Sequence, residues 1–302
     1  MALDIYQAVT DRILELLDQG TVPWRKPFTG SGGQGFGGLP KNLISDKDYR
    51  GINVFLLAVT AMLEGYDSPY WLTFKQAKAR DAHVRKGEKG SLVIFWKQYA
   101  TKDKTTGEPI SVPVLRYYKV FNTQQCEGLE LPAAPESETE EAPFEPIIEA
   151  MNIVDGYKDA PTIEHGGSRA YYRPSDDLVR IPDPRDFEGN ASYYSTLFHE
   201  LVHSTGHSKR LDRGINTKIA AFGSPDYSKE ELVAEMGAAF ISAAAGISNE
   251  TIEQSAAYIE SWKKKLKGDK KLVVQAAGAG QRAADWILGA FESPPAREAL
   301  QR

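Results

Sequence analysis

Cysteine is almost absent from this sequence: Cys126 is the only one among 302 residues. An internal disulfide is therefore excluded, and so is a zinc site built from cysteines alone. The sequence also lacks any apolar run of the roughly 20 residues that cross a bilayer. Its first residues mix acidic and apolar side chains, whereas a secretory signal peptide begins with basic ones. We therefore expect a cytoplasmic protein with no membrane partner, in which histidines and carboxylates bind any metal.

The charge is divided unevenly along the chain, whose formal net charge is −5. Residues 1–126 carry 17 Lys and Arg against 12 Asp and Glu, residues 127–150 carry 8 Glu and no base, and residues 151–302 carry 19 against 21. A basic first part favours a polyanion as its partner, although an ordinary solvated surface explains the same charge equally well.

The length of 302 residues favours two domains. Residues 127–149 are rich in Pro, Ala and Glu and poor in aromatic residues. Such a segment cannot bury enough apolar surface to fold alone. We predict a first domain over 1–126, an acidic linker over 127–149 and a second domain over 150–302.

The first domain is predicted to be α+β. Apolar residues at helical spacing indicate helices over 5–17, 53–63 and 74–80. β-branched and aromatic residues over 91–96 and 112–121 flank a turn-like segment and indicate a hairpin.

The second domain is also predicted to be α+β, mostly helical with a small sheet. A short strand pair is expected over 170–181. The predicted helices cover residues 147–157, 192–204, 230–245, 251–266 and 271–288.

Two histidines of the second domain are spaced for a shared metal ion. His199 and His203 flank Glu200 in the pattern His-Glu-x-x-His, which on a helix places both imidazoles on one face. With Zn²⁺ bound there, the pKa of a coordinated water falls to about 7, and Glu200 can accept its proton during attack on a carbonyl. The pattern is typical of zinc peptidases, but it also arises by chance or as surface histidines on an amphipathic helix.

A catalytic zinc needs a third protein ligand, for which there are three candidates. His207 follows His203 by four residues, but Gly206 interrupts the helix, so a helix-end histidine is the better interpretation, with stabilisation of a transition-state oxyanion as the alternative. Glu231 and Glu235 lie one turn apart among apolar residues, and buried carboxylates need partners. Their order resembles the gluzincin arrangement, which implies that Glu231 binds the metal and Glu235 orients a ligating histidine. Glu235 as the ligand is the alternative.

Several longer stretches resemble the ArdC-type antirestriction proteins of conjugative plasmids. They are PWRKPF (23–28), PKNLISDKDYRGINVFLL (40–57), YWLTFKQAK (70–78), VRKGEKGSLVIFW (84–96), HELVHSTGHSKRL (199–211) and EELVAEMGAAF (230–240). They span both predicted domains, which makes the combination far more specific than the histidine motif alone.

The resemblance implies an N-terminal domain that binds single-stranded DNA, with double-stranded DNA as a further partner. It also implies a C-terminal zincin-like metallopeptidase domain, a hydrolase with an unknown protein substrate and with Zn²⁺ or another divalent ion such as Mn²⁺ as cofactor. Its role would be to shield incoming plasmid DNA from host restriction. The alternative is that DNA binding protects by occlusion and the metal only stabilises the second domain.

Proteins that bind single strands without sequence preference combine basic side chains with aromatic faces. The predicted DNA contacts, in which basic residues stand near aromatic ones or form a basic loop, are Trp24, Arg25, Lys26, Arg50, Lys75, Arg85, Lys86 and Lys89. Trp71 and Trp96 lie in strongly apolar stretches, so we expect both to be buried in the core.

Overall fold

The computed structural model of the chain describes residues 3–25, 39–102, 104–130, 146–215, 225–247 and 256–290. It contains two compact units. The first unit comprises residues 1–141 and 254–274, and the second comprises residues 142–253 and 275–302. Two predictions, Lys26 as a DNA contact and most of the acidic linker, fall on residues 26–38 and 131–145, which lie outside the described residues.

Both units combine helices with small sheets, as predicted. The described helices are α1 Ile5–Asp18, α2 Ile52–Glu64, α3 Phe74–Lys78, α4 Pro146–Gly156, α5 Asn190–Ser204, α6 Pro225–Ala244, α7 Ala256–Gly268 and α8 Leu272–Ile287. They match the predicted helices except at their ends; α6, for example, begins at Pro225 rather than Glu230. Among the described residues, no helix is both long enough and apolar enough to span a membrane.

The described strands are β1 Lys41–Asn42, β2 Tyr70–Thr73, β3 His83–Val84, β4 Ser91–Lys102, β5 Pro109–Asn122, β6 Cys126–Glu127, β7 Thr162–His165, β8 Tyr171–Arg173 and β9 Leu178–Ile181. In the first unit, the main sheet has the order β1-β2-β5-β4, which places β4 at an edge, and β3 pairs with β6. In the second unit, the sheet has the order β7-β9-β8. Strands β4 and β5 are the predicted hairpin, extended at both strands, whereas β7 is absent from the sequence prediction.

The core of the first unit forms where α2 packs on the main sheet. Leu57 of α2 joins Trp71, Val93 and Val120, one from each of the three longer strands. Trp71 is fully buried, as predicted. The prediction that Trp96 is buried is wrong, because β4 continues beyond this core and leaves the Trp96 side chain 55% exposed.

Helix α7 belongs to the first unit, although the sequence prediction places residues 150–302 in the second domain. It packs against α1, whose apolar stripe needs a partner. Trp24, which follows α1, meets Trp262 edge to face with ring centroids 6.0 Å apart. Its Nε1 also donates a hydrogen bond to the hydroxyl of Tyr258 (3.2 Å). The sequence patterns of α1 and α7 do not indicate that the two helices pack together. The place of α7 in the first unit therefore could not be predicted.

In the second unit, helices α5 and α6 and the part of α8 from residue 275 onward pack closely through two glycines. A Cβ atom at Gly237 of α6 would lie 2.8 Å from both methyl carbons of Val202 on α5. A Cβ atom at Gly280 of α8 would lie 2.8 Å from the backbone nitrogen of Gly237. The absence of side chains at these two positions lets α6 lie directly against α5 on one side and α8 on the other.

A buried ion pair fastens the end of α5 to the small sheet of the second unit. Arg210 donates from Nε to the backbone oxygen of Ser204 (2.7 Å) and pairs with Asp177, between β8 and β9. Asp177 also accepts a hydrogen bond from the hydroxyl of Tyr172 (2.8 Å). Burial would raise the pKa of Asp177, but the hydrogen bonds from Arg210 and Tyr172 lower it. The turn of α5 that carries His203 is held in place by these contacts.

Candidate metal centre and nucleic-acid surface

Helix α5 places His199 and His203 one turn apart with their rings turned toward each other. Their Nε2 atoms are 3.2 Å apart, and the ring centroids are 4.8 Å apart. The side chains are partly shielded, with exposed fractions of 25% and 15%. The two nitrogens therefore reach the same point, as the spacing in the sequence predicts.

Helix α6 brings a carboxylate to the same point. Oε2 of Glu231 is 3.7 Å from Nε2 of His199, and Oε1 is 3.6 Å from Nε2 of His203. One ligand atom from each of the three residues lies within 4.8 Å of the others. Two imidazoles and a carboxylate are donors that suit Zn²⁺ and Mn²⁺. The donor set therefore fits a divalent ion, the predicted kind of cofactor.

Negative charge around the two histidines favours a cation. Burial would lower the pKa of His199, but the close contact with Glu231 and the charges of Glu200, Glu231 and Glu235 raise it. Glu200 is buried, with 8% of its surface exposed. A field that stabilises a positive imidazole also stabilises a metal cation.

A second carboxylate on α6, Glu230, contacts the other nitrogen of His203. Its Oε1 lies 3.5 Å from Nδ1 of His203, and it accepts hydrogen bonds from Nε (3.0 Å) and Nη2 (2.5 Å) of Arg213. Burial would raise the pKa of Glu230, but the contacts with His203 and Arg213 lower it to about 2. Arg213 also donates to the backbone oxygen of Val202 (2.9 Å) on α5.

Sequence reasoning missed Glu230 and selected only Glu235 to support the histidines. The reason is that Glu235 follows Glu231 at helical spacing, whereas the role of Glu230 depends on Arg213. Arg213 lies in the segment after α5, and no pattern in the sequence indicates that this segment folds back against the end of the helix.

Tyr227 is a further neighbour of the site that sequence reasoning missed. Burial, the charge of Glu231 and a hydrogen bond to that carboxylate raise the pKa of Tyr227 to about 12. The phenol therefore stays protonated at neutral pH and can donate a hydrogen bond beside Glu231. Its position four residues before Glu231 on a helix is a signal that could have identified it.

His207 lies outside the cluster of ligand atoms. It is 7% exposed, and its Nδ1 accepts a hydrogen bond from the backbone nitrogen of Lys209 (3.1 Å). This contact fits the interpretation of His207 as a helix-end histidine.

Trp24 cannot stack on DNA bases as predicted. Its side chain is 1% exposed, because α7 covers it with Trp262 and Tyr258. The guanidinium carbon of the adjacent Arg25 lies 3.8 Å from the centre of the Tyr258 ring. The aromatic and basic pair at Trp24 and Arg25 therefore contributes to the packing of α7 in the first unit.

The other described residues predicted to contact DNA are all exposed. They are Arg50, Lys75, Arg85, Lys86 and Lys89. Arg85 forms an ion pair of 2.9 Å with Glu88, which offsets part of the charge of this loop. Arg50 differs from the rest in its surroundings, because it lines a groove.

This groove has a volume of about 620 Å³ and lies along β4 in the first unit. Its aromatic and basic lining residues are Tyr49, Phe95, Trp96, Tyr118, Lys47 and Arg50. We call it the aromatic groove. The sequence prediction missed it because the apolar run 91–96 indicated that Trp96 belongs to the core.

Similarity to known proteins supports the two-part organisation. Residues 3–121 match the N-terminal domain of the anti-restriction factor ArdC. Residues 154–279 match the family described as a zincin-like metallopeptidase. Fold and site thus define an ArdC-type N-terminal domain joined to a zincin-like metallopeptidase domain.

The relatives extend over almost the whole chain. An uncharacterized protein, y4eC, of Sinorhizobium fredii is 37% identical over 296 residues, which is 94% of this chain and 91% of the relative. The DNA primase TraC of Escherichia coli is 36% identical over 311 residues, but the match covers only 28% of its length.

Two solved structures of the antirestriction protein ArdC from the R388 plasmid are similar along their full length. The metal-free structure is 37% identical with a TM-score of 0.73, covering 96% of this chain and 100% of that one. The Mn(II)-bound structure is 36% identical with the same TM-score, covering 95% and 98%. This chain belongs to the ArdC antirestriction family.

Proposed function

We propose that this chain is an antirestriction protein that binds single-stranded DNA through its first unit and hydrolyses a protein substrate at its second. The convergence of His199, His203 and Glu231 beside the buried Glu200 carries the hydrolytic part. The basic charge of residues 1–126 and their match to the ArdC N-terminal domain support the DNA-binding part. Protection of incoming plasmid DNA from host restriction is the role that this family membership suggests.

His199, His203 and Glu231 are the proposed ligands of a Zn²⁺ or Mn²⁺ ion. The Mn(II)-bound structure of the R388 relative supports a divalent ion. When bound, such an ion polarises a peptide carbonyl and makes a water more acidic. Glu200 accepts the proton of the attacking water and returns it to the amine that leaves when the peptide C–N bond breaks.

Two further carboxylates support the ligands in this proposal. Glu230, held by Arg213, accepts a hydrogen bond from Nδ1–H of His203 and so turns Nε2 toward the metal. Glu235 acts on His199 through its negative charge. Removing carboxylates that support ligating histidines typically weakens metal affinity about 10- to 100-fold.

Glu200→Gln tests the proton-transfer role. General acid–base catalysis contributes about 100- to 10,000-fold, so the variant should bind metal normally and lose hydrolysis of denatured casein by at least about 100-fold. Glu164→Gln removes a half-exposed carboxylate on β7 and should retain both properties. Casein cleavage that survives Glu200→Gln would contradict the proposed role.

Antirestriction assays separate hydrolysis from DNA occlusion. We expect Glu200→Gln to bind single-stranded DNA normally but to lose protection of unmethylated plasmid DNA entering a restricting cell. Full protection by both Glu200→Gln and His203→Ala would instead support occlusion, with the metal in a structural role.

Metal analysis of the purified full-length protein tests the ligands. Wild type should retain Zn²⁺ or Mn²⁺ after dialysis, Glu231→Gln should lose it, and Glu235→Gln should bind it about 10- to 100-fold more weakly. If Glu235→Gln loses the metal and Glu231→Gln keeps it, Glu235 is the ligand and Glu231 is the supporting carboxylate.

A further inference from the structure

We infer that the aromatic groove of the first unit is where bases of single-stranded DNA stack. This inference rests on the DNA-binding function proposed above and gives it a location. It moves the predicted stacking surface from Trp24 to the hairpin of β4 and β5.

The groove offers aromatic faces that the fold leaves open. Phe95, Trp96 and Tyr118 are 43%, 55% and 46% exposed, which is unusual for neighbouring large side chains on a sheet. The rings of Phe95 and Tyr118 meet edge to face with centroids 5.9 Å apart. The buried Tyr49 lies behind Phe95, with a centroid distance of 6.1 Å. This support holds the Phe95 ring in place.

The edge position of β4 lets both faces of the strand border the groove. Phe95 and Trp96 are consecutive and therefore point to opposite faces of the sheet, yet both line the groove. Its volume of about 620 Å³ falls within the range of about 300–1,000 Å³ that is typical of ligand sites.

The charge beside the groove suits a phosphate backbone. Lys47 and Arg50 line it and are exposed. Asp48 also lines it, but its carboxylate lies 3.8 Å from Nζ of Lys41, which offsets its charge. Arg116 stands directly opposite Phe95 in the register of the hairpin. Positive charge next to aromatic faces is the combination that single-strand binders use.

The polar side chains of the groove are engaged in holding the fold. The amide of Asn53 donates to the backbone oxygen of Ile94 (2.7 Å) and accepts from its nitrogen (2.8 Å). Oδ1 of Asn42 accepts from the backbone nitrogens of Ile44 and Ser45, both at 3.1 Å. Because these amides bind backbone groups, the groove contacts base faces rather than reading base edges. Binding should therefore tolerate any sequence, whereas a duplex hides its base faces.

The test is fluorescence anisotropy with labelled oligothymidine and full-length protein. Phe95→Ala, Trp96→Ala and Tyr118→Ala should each weaken binding about 5- to 150-fold, since a stacked base contributes roughly 1–3 kcal/mol. Phe74→Ala is the matched control, because Phe74 is 56% exposed but lies outside the groove; it should bind as wild type does. Arg50→Gln removes one phosphate contact, so the slope of log Kd against log salt concentration should fall by about 0.7.

Two further measurements exclude loss of folding and pure charge attraction. Stacking should quench tryptophan fluorescence in wild type, and Trp96→Phe should keep the affinity while losing most of the quenching. An abasic strand of equal length should bind wild type more weakly than oligothymidine, and Phe95→Ala should reduce this difference.

Each outcome decides a separate point. Wild-type protein that does not bind oligothymidine would overturn both the proposed DNA-binding function and the groove. Wild-type binding that the three groove variants leave unchanged would overturn the groove alone. Duplex DNA that competes as well as single strands would also overturn base stacking.

Discussion

Asp177 lies in the turn between β8 and β9 and forms an ion pair with Arg210, which in turn binds the end of α5. Its partner Arg210 is almost completely buried, with 1% of its side chain exposed. Removing one partner of a buried ion pair costs about 3–5 kcal/mol. Asp177 has a left-handed backbone with φ of 50°, which asparagine also tolerates. We therefore expect Asp177→Asn to lower the stability of the second unit by about this amount, measured by thermal unfolding.

The pH dependence of the same variant has a defined sign. The pKa of Asp177 is lowered in the folded protein, so its ion pair contributes fully above the ordinary value of 3.8 and is lost as the pH falls through the folded value. The difference in Tm between wild type and Asp177→Asn should be constant from pH 7 to about 5 and shrink below about 4. Asp176→Asn, at an exposed neighbouring ion pair, should change little at any pH. A difference that grows in acid would contradict the role of Asp177.

Single residues could be predicted where spacing along one helix determines the geometry. Helical spacing places His199 and His203 on one face of α5, whereas Glu231 of α6 was preferred to Glu235 through the gluzincin resemblance. Glu230, Arg213 and the burial of Trp24 could not be predicted in this way. They depend on segments distant in sequence that pack against the helix ends.

At the level of helices, Gly280 decides how closely α8 approaches α6. An added Cβ would lie 2.8 Å from the backbone nitrogen of Gly237 and 3.0 Å from the backbone oxygen of Val233, neither of which can move without shifting α6. Overpacking costs about 1–3 kcal/mol, which outweighs the roughly 1 kcal/mol that alanine gains over glycine in a helix. Gly280→Ala should therefore lower Tm and weaken metal binding.

Gly278→Ala is the matched control on the same helix. Its added Cβ would meet only Arg282 Nη1, at 3.8 Å. The helical preference of alanine should then act unopposed and raise stability by up to about 1 kcal/mol. If both variants unfold at the same temperature, the close helix contact does not control stability.

The elements themselves were largely predictable, because apolar periodicity sets helices such as α1 and α5. Which elements pack or pair with one another could not be predicted. In the outer half of the β4 and β5 hairpin, residues 97–102 and 109–111, almost every residue is exposed, so this part lacks the alternation that marks a half-buried strand. Strand β7 has four residues and pairs in parallel with β9, with β8 between them in the sequence, and local patterns do not indicate this pairing.

At the level of the whole molecule, the first unit is not continuous in sequence. A fragment containing residues 1–130 lacks α7 and should therefore unfold at lower temperature and bind a hydrophobic dye. A peptide of residues 254–274 should stabilise the fragment. At a peptide concentration 100 times its Kd, the free energy of unfolding should rise by about 2.7 kcal/mol. The measurement is thermal unfolding of the fragment with increasing peptide.

The control peptide carries Trp262→Ala and Tyr258→Ala, which removes the contacts with Trp24. It should restore little stability. A fragment that is already fully stable, or that responds equally to both peptides, would show that α7 is dispensable for the first unit.

The place of α7 in the chain also affects biosynthesis. Helix α1 leaves the ribosome before α7, because about 240 residues separate Trp24 from Trp262. At about 5–20 residues per second, translation of that interval takes roughly 10–50 s. During that interval Trp24 lacks its native contacts with Trp262 and Tyr258, so this apolar segment is exposed to chaperones that bind nascent chains.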